Sequence, residues 1–106
     1  MKINIVGAGT WGTALGCLLE KKSPSNEITI WQRNASKTNQ IIDSRTHLKF
    51  KDFKIPNSIK FTSNLNELDF NELTIIAIPS SAIKDTLPEN LDNGDYIIAS
   101  KGFDLN

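Results

Sequence analysis

The sequence contains few of the residues that build disulfide frameworks and metal centres. Its 106 residues include one cysteine, Cys17, and one histidine, His47. A single cysteine excludes an intramolecular disulfide and a site built from several thiolates, and a single histidine leaves no ligands for a His-rich centre. We therefore expect no bound metal. The scarcity of cysteine also favours the cytoplasm, where thiols stay reduced.

Net charge and long apolar runs are also missing. Twelve Lys and Arg residues balance 12 Asp and Glu residues, whereas a dedicated nucleic-acid-binding protein carries a basic excess. No apolar stretch approaches the roughly 18 residues of a membrane span, and the apolar run at the N-terminus is too short for a signal peptide. We expect one domain with neither a nucleic-acid partner nor a membrane insertion.

Short apolar runs alternate with helical patterns along the chain. The runs predict strands over Ile3–Val6, Glu27–Trp31, Ile59–Thr62, Leu73–Ile78 and Asp95–Ser100. Apolar residues at three- and four-residue spacing predict helices over residues 10–22, from Asn34 or Ser36 to about Arg45, as a single turn after Asn64, and after Pro79. This alternation is typical of an α/β fold, a doubly wound parallel sheet of spatial strand order 3-2-1-4-5.

The sequence also predicts where individual apolar side chains pack. Ile41 and Ile42 are the predicted anchors of the second helix, Trp31 is expected in the core, and Cys17 is expected to pack between helix and sheet. Residues 46–58 are polar and basic and predict a long connection, which is uncommon unless it is functional.

Three glycines stand in the segment GAGTWG, residues 7–12, between the first predicted strand and the first predicted helix. In that position the spacing G-x-G-x-x-G is typical of a dinucleotide-binding turn. Gly7 permits the tight turn, Gly9 leaves room for a pyrophosphate, and Gly12 lets the helix pack closely on the strand. Backbone N–H groups and the helix dipole then favour the phosphates. The alternative is a strand-to-helix turn that binds nothing.

The end of the second predicted strand indicates which dinucleotide binds. A carboxylate that holds the ribose of NAD is expected about 20 residues after the glycines, but residues 31–34 read WQRN and contain none. Arg33 instead offers a planar cation that binds a 2′-phosphate in a bidentate way. We therefore favour NADP(H), with NAD(H) as the alternative, and the competing interpretation of Arg33 is a solvated surface side chain.

Four segments together resemble the bacterial NAD(P)-dependent glycerol-3-phosphate dehydrogenases. The glycine segment continues as Thr13-Ala14-Leu15, residues 31–34 are similar to the family's Trp-x-Arg-Asp, Ala77-Ile78-Pro79-Ser80 to its Val-Pro-Ser, and Ala99-Ser100-Lys101-Gly102 to its Ser/Thr-Lys-Gly. The four segments occur in the family's order along the whole chain. Asn34 departs from the family's acidic residue, and the loop segment 46–50 departs from its Asn-Pro-x-Tyr-Leu.

The resemblance implies an activity: reduction of dihydroxyacetone phosphate to sn-glycerol 3-phosphate, a precursor of glycerophospholipids. It implies that Thr10 and Trp11 contact the cofactor, that Arg33 contacts its adenosine phosphate, and that Lys101 lies at the nicotinamide end and binds the substrate phosphate. Lys101 also follows a predicted strand end, where ligands of open α/β sheets bind. A homodimer of the full-length enzyme is compatible with the resemblance.

The same resemblance places the catalytic lysine and most of the substrate pocket in a C-terminal helical domain. Residues 1–106 are then an incomplete NAD(P)-binding domain that ends after the fifth strand and holds no catalytic residue. Two other functions stay open: a stand-alone nucleotide-binding module without catalysis, and another hydroxyacid dehydrogenase such as a ketopantoate reductase.

Two polar features of the long loop are expected to be ordinary surface features without a catalytic or nucleic-acid-binding role. His47 has no second ligand nearby in sequence and is expected at the surface. Lys49, Lys51, Lys54 and Lys60 form a loose basic cluster, which we expect to be solvated because Asp52 interrupts it and the chain is neutral.

Overall fold

Five parallel strands form one sheet in the part of the chain that the computed structural model describes, namely residues 1–70, 72–78, 86 and 95–98. The strands are β1 (Lys2–Val6), β2 (Glu27–Trp31), β3 (Lys60–Thr62), β4 (Leu73–Ile76) and β5 (Asp95–Ile98). Their spatial order is β3-β2-β1-β4-β5, and every neighbouring pair is parallel. The doubly wound sheet and the predicted strand order are confirmed.

The chain changes direction across the sheet at β1. It moves from β1 to β2 and β3 on one side, and then returns to β4 and β5 on the other side. Ligands of such sheets bind outside the carboxyl ends of the strands at the point where the order reverses. In this protein that point lies between the residues that follow β1 and β4.

Two helices connect the first three strands. α1 (Thr10–Lys22) follows the glycine segment and ends at Ser23, and α2 (Ala35–Ser44) follows β2. Of the two residues considered as a cap of α2, Asn34 takes that place, and its side-chain oxygen accepts a hydrogen bond from the Lys37 amide at 2.9 Å. A short 3₁₀ helix (Leu65–Glu67) precedes β4. None of the described helices is long and apolar enough to cross a bilayer.

The core lies on both faces of the sheet. On one face, Ile5 and Ile30 are completely buried beneath α1, and the partly buried Cys17 of α1 packs against this cluster. On the other face, Trp31 packs against Val6 and Leu68. The expected places of Trp31 and Cys17 are therefore confirmed.

The prediction that Ile42 anchors α2 is wrong. Ile41 is 8% exposed, but Ile42 is 41% exposed and faces solvent. Consecutive residues of a helix are about 100° apart, so a helix of 10 residues that covers the sheet with Ile41 turns Ile42 away from it.

The long connection between α2 and β3 is organised by Arg45. This residue ends α2 in the left-handed conformation (φ 55°). Its guanidinium donates hydrogen bonds to the carbonyl oxygens of Pro56 and Ile59, the second at 2.7 Å, and lies 5.4 Å from the centre of the Phe61 ring. A charged group that binds two carbonyls is worth more than a neutral hydrogen bond. Arg45 thus joins the two ends of the loop, together with the hydrogen bond that its carbonyl oxygen accepts from the Ile55 amide at 2.7 Å.

Several predictions fall outside the described residues. These are the helix after Pro79, the end of the last strand at Ser100, and the segment that contains Lys101.

Replacement of Gly12 should weaken the fold. A Cβ atom at Gly12 would lie 2.1 Å from the backbone oxygen of Gly7, so α1 must move away from the turn. We expect Gly12→Ala to lower the free energy of unfolding by about 1–3 kcal/mol, measured by urea denaturation. Gly9→Ala is the matched control, because a Cβ there meets no described atom within 4 Å. Equal stability of Gly12→Ala and the unmodified chain would contradict the close contact.

Candidate functional site

The turn between β1 and α1 is shaped by Gly7. Its φ of 124° lies in a region that side-chain-bearing residues rarely adopt. A Cβ at this position would also lie 2.7 Å from the Ala77 carbonyl oxygen, beyond the end of β4. The Gly7 amide donates a 2.7 Å hydrogen bond to the Trp31 carbonyl oxygen. Gly7 therefore joins the ends of three neighbouring strands.

Gly9 has a different role in the turn. Its backbone is extended (φ −70°, ψ −175°), a conformation open to any residue, and the space around its missing Cβ contains no described atom within 4 Å. Neither the backbone nor the packing of the described residues needs glycine here. An open space beside the first turn of a helix is what the phosphates of a nucleotide require.

The first turn of α1 borders this space. Thr10 and Trp11 are exposed, Trp11 to 47%, and the first turn contains no acidic residue. The N-terminal end of a helix carries partial positive charge. These two residues lie where the sequence places cofactor contacts, and their contacts with a cofactor remain a prediction.

A cleft of about 430 Å³ opens beside the glycine turn. It lies between the turn, the end of β2, α2 and the loop after α2, and Gly9, Thr10 and Gln32 are among its lining residues. The Gln32 side-chain nitrogen is buried and has no hydrogen-bond partner in the described part of the chain. A buried donor without a partner is costly, so this nitrogen is an unsatisfied polar group of a residue that lines the cleft.

The charge of the cleft is entirely positive among its described lining residues. Lys37 of α2 and Lys49 and Lys51 of the loop contribute three ammonium groups, and no carboxylate lines the cleft. Lys49 and Lys51 are exposed, as expected for a solvated loop, and they also line the cleft. The basic loop was visible in the sequence, but its fold onto the glycine turn was not.

Arg33 lies outside this cleft. It is exposed beyond the end of β2, and its Nη2 donates a 2.9 Å hydrogen bond to Oγ1 of Thr86, which is 8% exposed. The guanidinium thus reaches from the second strand to the segment after β4, across the point where the strand order reverses. That position suits a group that meets the adenosine end of a dinucleotide.

His47 is not a surface residue. Its side chain is only 9% exposed, and its Nε2 lies 3.0 Å from the Ala8 carbonyl oxygen within the glycine turn. The sequence separation of 39 residues hides this contact from any local pattern.

Cys17 shows no sign of a nucleophile. Burial raises the pKa of its thiol, and the nearby Glu20 carboxylate raises it further, while Arg45 lowers it. The thiolate is the reactive form, so a raised pKa keeps Cys17 unreactive at neutral pH. No group of three or more metal-ligating side chains occurs among the described residues, and Lys101 lies outside them.

A glycerol-3-phosphate dehydrogenase (NAD(P)+) of Orientia tsutsugamushi is 38% identical over 113 residues, which cover 100% of this chain and 33% of the relative. The protein of the same name from Thermoanaerobacter sp. is 37% identical over 80% of this chain and 26% of its own length. This chain therefore spans about a third or less of the curated relatives that it matches.

A solved structure shows the same fold. The glycerol-3-phosphate dehydrogenase of Coxiella burnetii superposes with a TM-score of 0.66 at 22% identity, over 79% of this chain and 26% of that one. The family model described as the NAD-dependent glycerol-3-phosphate dehydrogenase N-terminus matches residues 2–106. Since the match includes all but the first residue, the chain belongs to the family of NAD-dependent glycerol-3-phosphate dehydrogenase N-terminal regions.

Proposed function

We propose that this chain is the NAD(P)-binding part of a glycerol-3-phosphate dehydrogenase, which interconverts dihydroxyacetone phosphate and sn-glycerol 3-phosphate. The observation that carries the proposal is Gly9, whose glycine is required by neither the backbone nor the packing of the described residues. The family match over residues 2–106 and the names of the relatives supply the reaction.

The residues of this chain bind and orient rather than transfer protons. A nicotinamide dinucleotide, when bound, supplies the hydride that reduces the carbonyl carbon of dihydroxyacetone phosphate. The turn at Gly9 and the first turn of α1 hold the pyrophosphate through backbone N–H groups, with Thr10 and Trp11 beside it. Lys101, assigned by resemblance, binds the substrate phosphate near the nicotinamide. The proton comes from a lysine in the part of the family enzymes that this chain does not span.

We propose NADP(H) as the preferred cofactor. Arg33 is the nearest cation after β2, residues 31–34 contain no carboxylate that would repel a 2′-phosphate, and the three lysines of the cleft add positive charge. The Thr86 hydroxyl accepts from Nη2 of Arg33 only, and a guanidinium has five N–H donors. The remaining donors are available for charge-assisted hydrogen bonds to a 2′-phosphate.

The product, sn-glycerol 3-phosphate, is a precursor of glycerophospholipids. We propose that the reaction takes place in the cytoplasm, where the free thiol of Cys17 stays reduced.

Substitution of Gly9 should separate binding from folding. A Cβ at this position meets no described atom within 4 Å, and the methyl groups of a valine extend from it into the open space. We expect Gly9→Val to keep the far-UV circular dichroism and the urea midpoint of the unmodified chain, and to raise the dissociation constant of NADPH about 100-fold or more because the pyrophosphate cannot approach. Fluorescence titration measures this constant. A folded Gly9→Val chain that retains its affinity would contradict the site.

Removal of Arg33 should change the choice of cofactor. We expect Arg33→Ala to raise the dissociation constant of NADPH about tenfold or more, since a hydrogen bond to a charged group is lost, and to leave that of NADH within about twofold. Lys60→Ala is the matched charge control. Lys60 lies at the amino end of β3, whereas Arg33 follows the carboxyl end of β2. Tighter binding of NADH than of NADPH by the unmodified chain, unchanged by Arg33→Ala, would overturn the preference.

The 106-residue chain alone should not catalyse the reaction. Because the proposed proton donor and most of the substrate pocket are absent, we expect NADPH binding without oxidation of NADPH by dihydroxyacetone phosphate, monitored by absorbance. Turnover that Gly9→Val abolishes would show that this chain is catalytically sufficient. Turnover with a ketoacid such as ketopantoate instead would favour the other hydroxyacid dehydrogenases.

A further inference from the structure

His47 is held by two hydrogen bonds that require different states of its two ring nitrogens. Nε2 lies 3.0 Å from the Ala8 carbonyl oxygen, and Nδ1 lies 3.1 Å from the Lys49 backbone nitrogen. A carbonyl oxygen only accepts, so Nε2 carries the hydrogen; an amide N–H only donates, so Nδ1 carries none. Both bonds exist together only in the neutral imidazole protonated on Nε2.

The first bond reaches the centre of the glycine turn. Ala8 stands between Gly7 and Gly9, and its carbonyl oxygen also accepts a 3.2 Å hydrogen bond from the Thr13 hydroxyl of α1. The turn is therefore held from α1 by Thr13 and from the loop after α2 by His47. Ala8 and Thr13 are both buried, so water does not substitute easily for either donor.

The second bond and the ring itself shape the loop. The imidazole stacks on Phe50 with ring centres 4.8 Å apart and an angle of 12° between the planes, and Phe50 meets the edge of Phe53. The Phe50 amide also donates to the His47 carbonyl oxygen at 3.2 Å. The loop is consequently folded tightly around His47. Lys49 and Lys51 lie within this loop and line the cleft beside Gly9.

We propose that His47 is a positioning residue for the cofactor phosphates. Its imidazole joins the glycine turn to the loop, so the backbone that binds the pyrophosphate and the ammonium groups of Lys49 and Lys51 keep a constant separation. This inference rests on the proposed function of the cleft as a nicotinamide dinucleotide site. It adds one residue to that site: the neutral tautomer of His47 positions the lysines of the loop after α2 relative to the glycine turn.

Two variants of the full 106-residue chain separate the bond to the turn from the bulk of the ring. His47→Gln keeps a donor near the position of Nε2, whereas His47→Phe keeps the stack on Phe50 but loses both hydrogen bonds. We expect the dissociation constant of NADPH to rise about five- to tenfold in His47→Phe, mainly from the lost hydrogen bond to the Ala8 carbonyl oxygen, and less than threefold in His47→Gln. Urea denaturation identifies the folded fraction of each variant.

The coupling between the His47 substitutions and substitutions of the two lysines separates a positioning role from a loss of stability, because a loss of stability alone does not produce it. In the unmodified chain, the double substitution Lys49→Gln and Lys51→Gln should weaken NADPH binding about tenfold. In the His47→Phe background, the same double substitution should weaken binding less than threefold. In the His47→Gln background, it should again weaken binding about tenfold. Lys54→Gln is the matched control, because the Lys54 ammonium binds the Ser44 carbonyl oxygen and does not line the cleft. Additive effects in all three backgrounds would overturn the role of His47.

Nitrogen NMR of the ring tests the inference without any cofactor. We expect a protonated Nε2 and a bare Nδ1 at neutral pH; a ring protonated on Nδ1 would overturn the assignment. If the unmodified chain binds neither NADPH nor NADH, the proposed function fails, and the role of His47 in binding fails with it. If it binds NADPH and all His47 variants bind equally, only the role of His47 fails.

Discussion

The close approach of α1 to the sheet at the glycine turn is the constraint on which the rest of the site depends. Gly7 bends the chain in a conformation that side chains disfavour and lies against the Ala77 carbonyl, and Gly12 lies against the carbonyl of Gly7. Both contacts involve backbone atoms, which cannot rotate away as a side chain can. They bring the N-terminus of α1 to the carboxyl edge of the sheet, and the open space at Gly9 is the result. Two of the three glycines thus build the turn, and the third leaves it vacant for a ligand.

In the proposed site, separate elements share the binding of a dinucleotide. The helix end would provide directed N–H groups, the loop that His47 joins to Ala8 would provide lysines, and Arg33 is bound to Thr86 across the reversal of strand order. None of these groups is close to another in sequence. Because Lys49 and Lys51 line the cleft and Arg33 lies outside it, we expect a ligand with several phosphates to use more of these groups than an isolated phosphate does.

The sequence allowed prediction of the sheet and the turn, but not of the loop. Periodicity of two or of 3.6 residues is a local signal; it predicted all five strands, and the residue types before α2 narrowed its cap to Asn34 or Ser36, of which the structure selects Asn34. The same signal predicted both Ile41 and Ile42 as anchors of α2 and was wrong for Ile42, since only the rotation of the packed helix decides which of the two faces the sheet. His47 was predicted at the surface because its partner is 39 residues away. Contacts of that kind arise from tertiary packing, which a pattern within one segment does not encode.

The contacts of Arg45 determine how the loop after α2 opens. The two ends of the loop between α2 and β3 are joined by the Arg45 guanidinium, bound to the carbonyl oxygens of Pro56 and Ile59, and by the hydrogen bond from the Ile55 amide to the Arg45 carbonyl oxygen. Local opening of a protein occurs in contiguous cooperative units, and we expect the segment between these bonds to open as one such unit. Lys49 and Lys51 belong to this segment, whereas Lys37 belongs to α2, so its opening withdraws two of the three lysines of the cleft together. The rate at which backbone amides of residues 46–58 exchange with solvent is then also a measure of how often these two lysines leave the cleft.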